Sequence, residues 1–198
     1  MRNFQRLLVL VGGMVLSAAI SAPLRAQINS GAGTVFLNAA MTESLSVSVT
    51  GGAAVNFALL PNTAANAGST TSSIRTAWTL KPGRTNVTLW AWVPNGAAAL
   101  TDGVGDNIPA SAVTATAAGF GSAGGALNTS TSGGAGVPAF VTPATATGVQ
   151  IGQIRVLGFN KTGNSTTTLT WNINTTVVPQ LPAGTYTGTV NIQAQATP

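Results

Sequence analysis

Residues 74–93 read IRTAWTLKPGRTNVTLWAWV, and this stretch decides the fold. In Asn86–Val93, Val87, Leu89, Ala91 and Val93 alternate with Thr88, Trp90 and Trp92. That period of two sends successive side chains to opposite faces of a strand. Ile74–Leu80 is a second strand-like run, with Trp78 and Leu80 on one face. Lys81-Pro82-Gly83-Arg84 joins them, with Pro and Gly where a type II turn wants them. Pro94-Asn95-Gly96 ends the pair.

The same pattern extends outward. Leu45, Val47 and Val49 alternate with Ser44, Ser46 and Ser48, and Gly51-Gly52 closes the run. Val55, Phe57 and Leu59 alternate next, so residues 43–60 read as two strands around a turn. Residues 61–74 read as a loop, 97–112 as an irregular connection, and Val113–Ala117 as a short strand. Gly119–Val137, with its GSAGG and STSGGAG, reads as a flexible loop, and residues 121–136 are expected to be dispensable for folding. Val149–Asn160 is strand-like, with a bulge expected at Gly158. Ser165–Ile173 and Thr185–Ala196 are the last two strands, the latter after a Leu181–Gly184 turn. Short strands at this spacing, without a helical period, predict an all-β, immunoglobulin-like antiparallel sandwich of about seven to nine strands.

The N-terminus reads differently. Arg2 and Arg6 precede the apolar run Leu7–Ile20, and small residues with Pro23 follow. This is the layout of a secretory signal, too short for a membrane span. Cleavage is expected after Ala26, with Ala22 as second choice. The reading is therefore a signal peptide at 1–26 and one sandwich domain at 27–198, with no transmembrane segment in the mature chain. The expected location is extracellular, cell-surface or periplasmic.

Composition limits the chemistry. The chain has no Cys and no His, and 6% of its residues are charged. Residues 27–198 carry Arg75, Lys81, Arg84, Arg155 and Lys161 against Glu43, Asp102 and Asp106, so the net charge is 5 − 3 = +2. Cations so dispersed along the sequence give no nucleic-acid surface. A glycosidase would need two preorganised carboxylates, and Asp102 and Asp106 share one Gly-rich loop. That loop lacks the third acid of a calcium site. The chain is therefore read as a non-enzyme without metal or cofactor.

Three binding readings remain. Trp90 and Trp92 share a strand face with Trp78 nearby, and exposed coplanar indoles stack on sugar rings. Buried indoles would instead fill the core. Arg75, Lys81 and Arg84 flank Trp78 and read either as a small cationic and aromatic patch or as edge charges that block sheet-to-sheet aggregation. Gln27–Gly33 is a polar, Gly-rich tether before Thr34–Ala40, where Val35 and Leu37 share one face and Phe36 takes the other. That short piece is either an edge strand of its own sandwich or a strand offered to a neighbour.

Leu181–Ala196, LPAGTYTGTVNIQAQA, together with Gly152-Gln153-Ile154, resembles the closing strands of the spore coat protein U-like family and related pilin-type bacterial subunits. Trp78-Thr79-Leu80 is similar to the motif of WxL-type cell-wall domains. Both resemblances imply a non-enzymatic surface role. The expected function is a secreted structural subunit that self-associates, fimbria- or coat-like. The alternative is a monomeric carbohydrate- or matrix-binding module using Trp78, Trp90 and Trp92. Expression with export should yield a mature species whose intact mass corresponds to a chain starting at Gln27.

Overall fold

The computed structural model describes residues 34–121, 123–131 and 145–198; the expected signal peptide lies outside them. The chain divides into two compact units, Met1–Ala40 and Met41–Pro198. In the first, residues 34–40 form no strand, and Val35, Phe36 and Leu37 are 81, 87 and 90% exposed.

The second unit is an all-β antiparallel sandwich. Its strands, in chain order, are β1 (Ser44–Gly51), β2 (Asn66–Ala67), β3 (Ser72–Thr79), β4 (Asn86–Val93), β5 (Leu100–Thr101) and β6 (Asn107–Ile108). β7 (Val113–Ala118), β8 (Gly124–Ala126), β9 (Ser130–Thr131), β10 (Thr147–Arg155), β11 (Thr162–Ile173) and β12 (Asn191–Thr197) follow. One sheet runs β1-β3-β11-β7-β8, with β2 also on β11; the other runs β12-β4-β10-β9. β5 and β6 form a small separate ribbon. Among the described residues the helices are two single 3-10 turns.

The alternation read in Asn86–Val93 is the packing pattern. Val87, Leu89, Ala91 and Val93 point into the main core with Ile74, Leu169 and Ile173. The turn at Lys81–Arg84 forms, with the Arg84 N–H donating to the Lys81 carbonyl at 3.1 Å. Gly83 does not take the positive φ of a type II turn. The turn also does not close a hairpin: β3 and β4 belong to different sheets, so the chain crosses the sandwich here.

Four further expectations are corrected. Val55–Leu59 is not a strand, although its alternate side chains are half-buried; its one ladder contact is the Phe57–Gly68 bridge. Periodicity without a partner edge gives a buried row but no ladder. The final strand starts at Asn191, not Thr185, for the same reason. The irregularity in β10 falls between Gln150 and Gly152, where the pairing with β4 slips, and Gly158 lies beyond the strand.

The last correction concerns Gly119–Val137, whose residues 122 and 132–137 lie outside the described ones. The described part carries β8 and β9 and buries Leu127 completely. Ala123 N–H donates across the sandwich to the Ile151 carbonyl at 3.3 Å, so this segment closes one side of the core. It is not dispensable. Leu127→Ala should cost about 2–5 kcal/mol, the usual range for a fully buried leucine, read from chemical denaturation.

Candidate functional site

The opposite side of the sandwich is bounded by two sheet edges. β1 ends one sheet and β12 ends the other, and the two lie next to each other. No described strand pairs with their outer edges. Leu45 and Val47 on β1 are half-buried, and Val49 is 48% exposed. Val55, Phe57 and Leu59 continue that wall; Tyr186, Val190, Ile192 and Ala194 form the facing one. All these side chains pack on the core yet remain partly exposed.

Between the walls lies an apolar groove of about 260 Å³, lined also by Ile74, Val113 and Trp171. At the Gly51 end of β1 it shares Val55, Phe57, Leu100 and Gly188 with a wider space of about 830 Å³. That mouth lies between residues 53–61 and 178–188.

Specific interactions fix each wall. Gly52 ends β1 at φ 60°, where a Cβ would collide with the Thr71 carbonyl, so the chain turns sharply into the first wall. Asn66 is buried; its Oδ1 accepts from Leu60 N–H at 2.8 Å, and its Nδ2 donates to the Ile173 carbonyl at 2.9 Å. The Thr175 hydroxyl donates to the Leu60 carbonyl at 2.7 Å. Thr101 and Thr187 exchange two backbone hydrogen bonds of 2.9 Å, fixing the second wall. Gly188 passes so close to the Ala99 carbonyl that a side chain there would collide with it. Asn66 and Thr175 escaped the sequence reading because an isolated Asn or Thr in a polar stretch carries no periodic signal.

Charged groups stand at the two ends. Glu43 Oε1 accepts from Arg84 Nε at 2.9 Å, and Lys81 Nζ lies 3.8 Å from Glu43 Oε2. The Arg84 hydrogen bond holds the Glu43 carboxyl below its ordinary 4.5. Lys161 Nζ donates to the Arg84 and Val156 carbonyls. At the other end Asp102 Oδ1 accepts from the N–H groups of Val104, Gly105 and Asp106 at 2.9, 3.1 and 3.0 Å. Backbone hydrogen bonds, that from Val104 foremost, hold its carboxyl below the ordinary 3.8. Desolvation, and then Asp106 and Asp102, push the Tyr186 hydroxyl up.

The three tryptophans do not form one patch. Trp78 is 5% exposed in the main core, edge-on to Phe120 with ring centres 6.0 Å apart, and its Nε1 donates to the Asn160 carbonyl at 3.0 Å. Trp90 and Trp92, 4 and 7% exposed, lie in a separate cluster with Ala146. None presents an open ring face. Arg75 is exposed but sits on β3, an interior strand between β1 and β11, so it guards no edge. Among the described residues no group of three or more His, Cys, Asp or Glu could hold a metal ion, and no helix is long and apolar enough to cross a membrane. Comparisons with protein-family models, known proteins and solved structures find no match.

The two carboxylates set the acid response. A carboxyl whose folded pKa is lowered stabilises the fold above its ordinary value, and loses that contribution as pH falls through the lowered one. Melting temperature is therefore expected to hold down to about pH 5 and to fall below about pH 4.5, with Glu43→Gln flattening part of that limb. Thermal melts followed by circular dichroism between about pH 7 and pH 2 read this directly.

Proposed function

We propose that the chain is an exported, non-enzymatic subunit that assembles into a surface fibre or coat, with Thr34–Ala40 of one copy filling the groove between β1 and β12 of the next. The observation that carries this reading is a partly exposed apolar groove beside two sheet edges. The same chain holds an exposed apolar segment at Val35–Leu37.

The segment suits the groove in length and pattern. Its seven residues match β12, which runs over seven. Val35, Leu37 and Ala39 make one wholly apolar row, which is the row that would face the core. Burying Val35 and Leu37 contributes about 1.5–3 kcal/mol each. The inserted backbone would satisfy edge groups on both walls, as in strand addition generally. The secretory layout of residues 1–26 and the resemblance of Leu181–Ala196 to coat and pilin-type subunits point the same way. A sugar platform on Trp78, Trp90 and Trp92 loses its footing, because the rings are buried.

The test is removal of residues 34–40 from the mature protein, beside the single change Leu37→Asp. Size-exclusion chromatography with light scattering should show concentration-dependent oligomers for the unaltered chain and monomers for both variants. Far-UV circular dichroism should be unchanged. A strict monomer in the unaltered chain would overturn the reading, and so would a deletion that unfolds the monomer, since the segment would then close its own sandwich.

A further inference from the structure

The cations dispersed along the sequence are gathered by the fold. Register places Ser44, Thr79 and Thr162 together at one end of the first sheet. Asn86, Arg155 and Thr197 lie together in the second. The turn from Thr79 to Asn86 joins those ends, so they are one end of the sandwich. Lys81, Arg84, Arg155 and Lys161 all stand there with Glu43, a side-chain charge of 4 − 1 = +3. The connection that follows β4 at Val93 leaves the opposite end, and it carries Asp102 and Asp106, a charge of −2. The eighth charge of residues 34–198, Arg75, lies mid-strand between them.

The two ends also differ in what they offer. Residues 34–40 join β1 through Met41–Glu43, so the segment leaves from the basic end. The wide mouth of the groove is at the acidic end, where Thr101, next to Asp102, pairs with Thr187. Each end carries a nearly fully exposed apolar side chain, Phe159 at the basic end and Val104 at the acidic one.

We infer that the basic end of one copy docks on the acidic end of the next, so that charge sets a head-to-tail polarity and delivers Thr34–Ala40 to the mouth of the neighbour's groove. This rests on the strand-insertion reading and adds its direction. A contact between unlike ends cannot close on itself in pairs and propagates head to tail, as an open fibre where successive rotations do not close a ring. Complementary charge acts mainly on encounter rate and is screened by salt, with a Debye length of about 10 Å at 0.1 M. A segment delivered at the acidic end enters with its Ala40 side last, and therefore runs antiparallel to β12.

The experiment follows assembly of the full mature chain by light scattering, in about 20 mM and about 500 mM NaCl. Lys81→Glu with Arg155→Glu makes both ends negative; Asp106→Lys with Asn107→Lys makes both positive. Each pair should slow assembly at least about tenfold at low salt and match the unaltered chain at high salt. All four changes together exchange the signs of the ends and should restore the low-salt rate. Equal low-salt rates for all four proteins would overturn the inference while leaving strand insertion standing, and so would failure of the combined variant to recover while its circular dichroism is native. Absence of assembly in the unaltered chain overturns both.

Discussion

The turn at Lys81–Arg84 carries the chain from one sheet to the other, and the placement of both outer strands follows from that crossing. β1 pairs with β3 and β12 pairs with β4, so separating β3 from β4 places β1 and β12 on different sheets. They then lie next to each other, each with an outer edge that no described strand pairs with. The crossing is itself held by charge: Arg84 binds Glu43, and Lys161 ties the Arg84 carbonyl to the β10–β11 connection.

A sandwich keeps its core dry by closing both sides between its sheets. One side here is closed by β8 and Leu127, with a hydrogen bond from Ala123 to Ile151. The other has no such strand among the described residues. Side chains there stay partly exposed, and the wall segments 53–60 and 181–190 are held only by isolated bridges, Phe57 to Gly68 and Thr101 to Thr187, and not by a ladder. A row of apolar side chains held at that level retains unspent burial energy, at about 25 cal/mol for each Å² still to be covered.

Such a surface also has to avoid promiscuous pairing. Open strand edges recruit any extended chain, and proteins ordinarily guard them with charge. In this chain most of the charges lie away from the outer edges, at the two ends of the sandwich. The groove itself is neutral, which suits an occupant as uncharged as Thr34–Ala40.

Much of the fold was legible from local pattern. Parity along Asn86–Val93, the strands at 44–51 and 113–118, and the turn at Lys81–Arg84 follow from alternation and from Pro and Gly, which act over a few residues. The sequence by itself determined which side chains point the same way, and that the residues for acid–base chemistry by His or thiolate chemistry are absent. Only the tertiary structure decided what lies over each face. Trp90 and Trp92 share a face in any strand, but their burial depends on chain remote in sequence. Val55–Leu59 and Tyr186–Val190 alternate like strands but make only single bridges, because pairing is a property of two segments. Four cations dispersed over eighty residues meet at one end for the same reason: alternation is fixed by neighbours along the chain, whereas ladders, grooves and charged ends are fixed by neighbours in space.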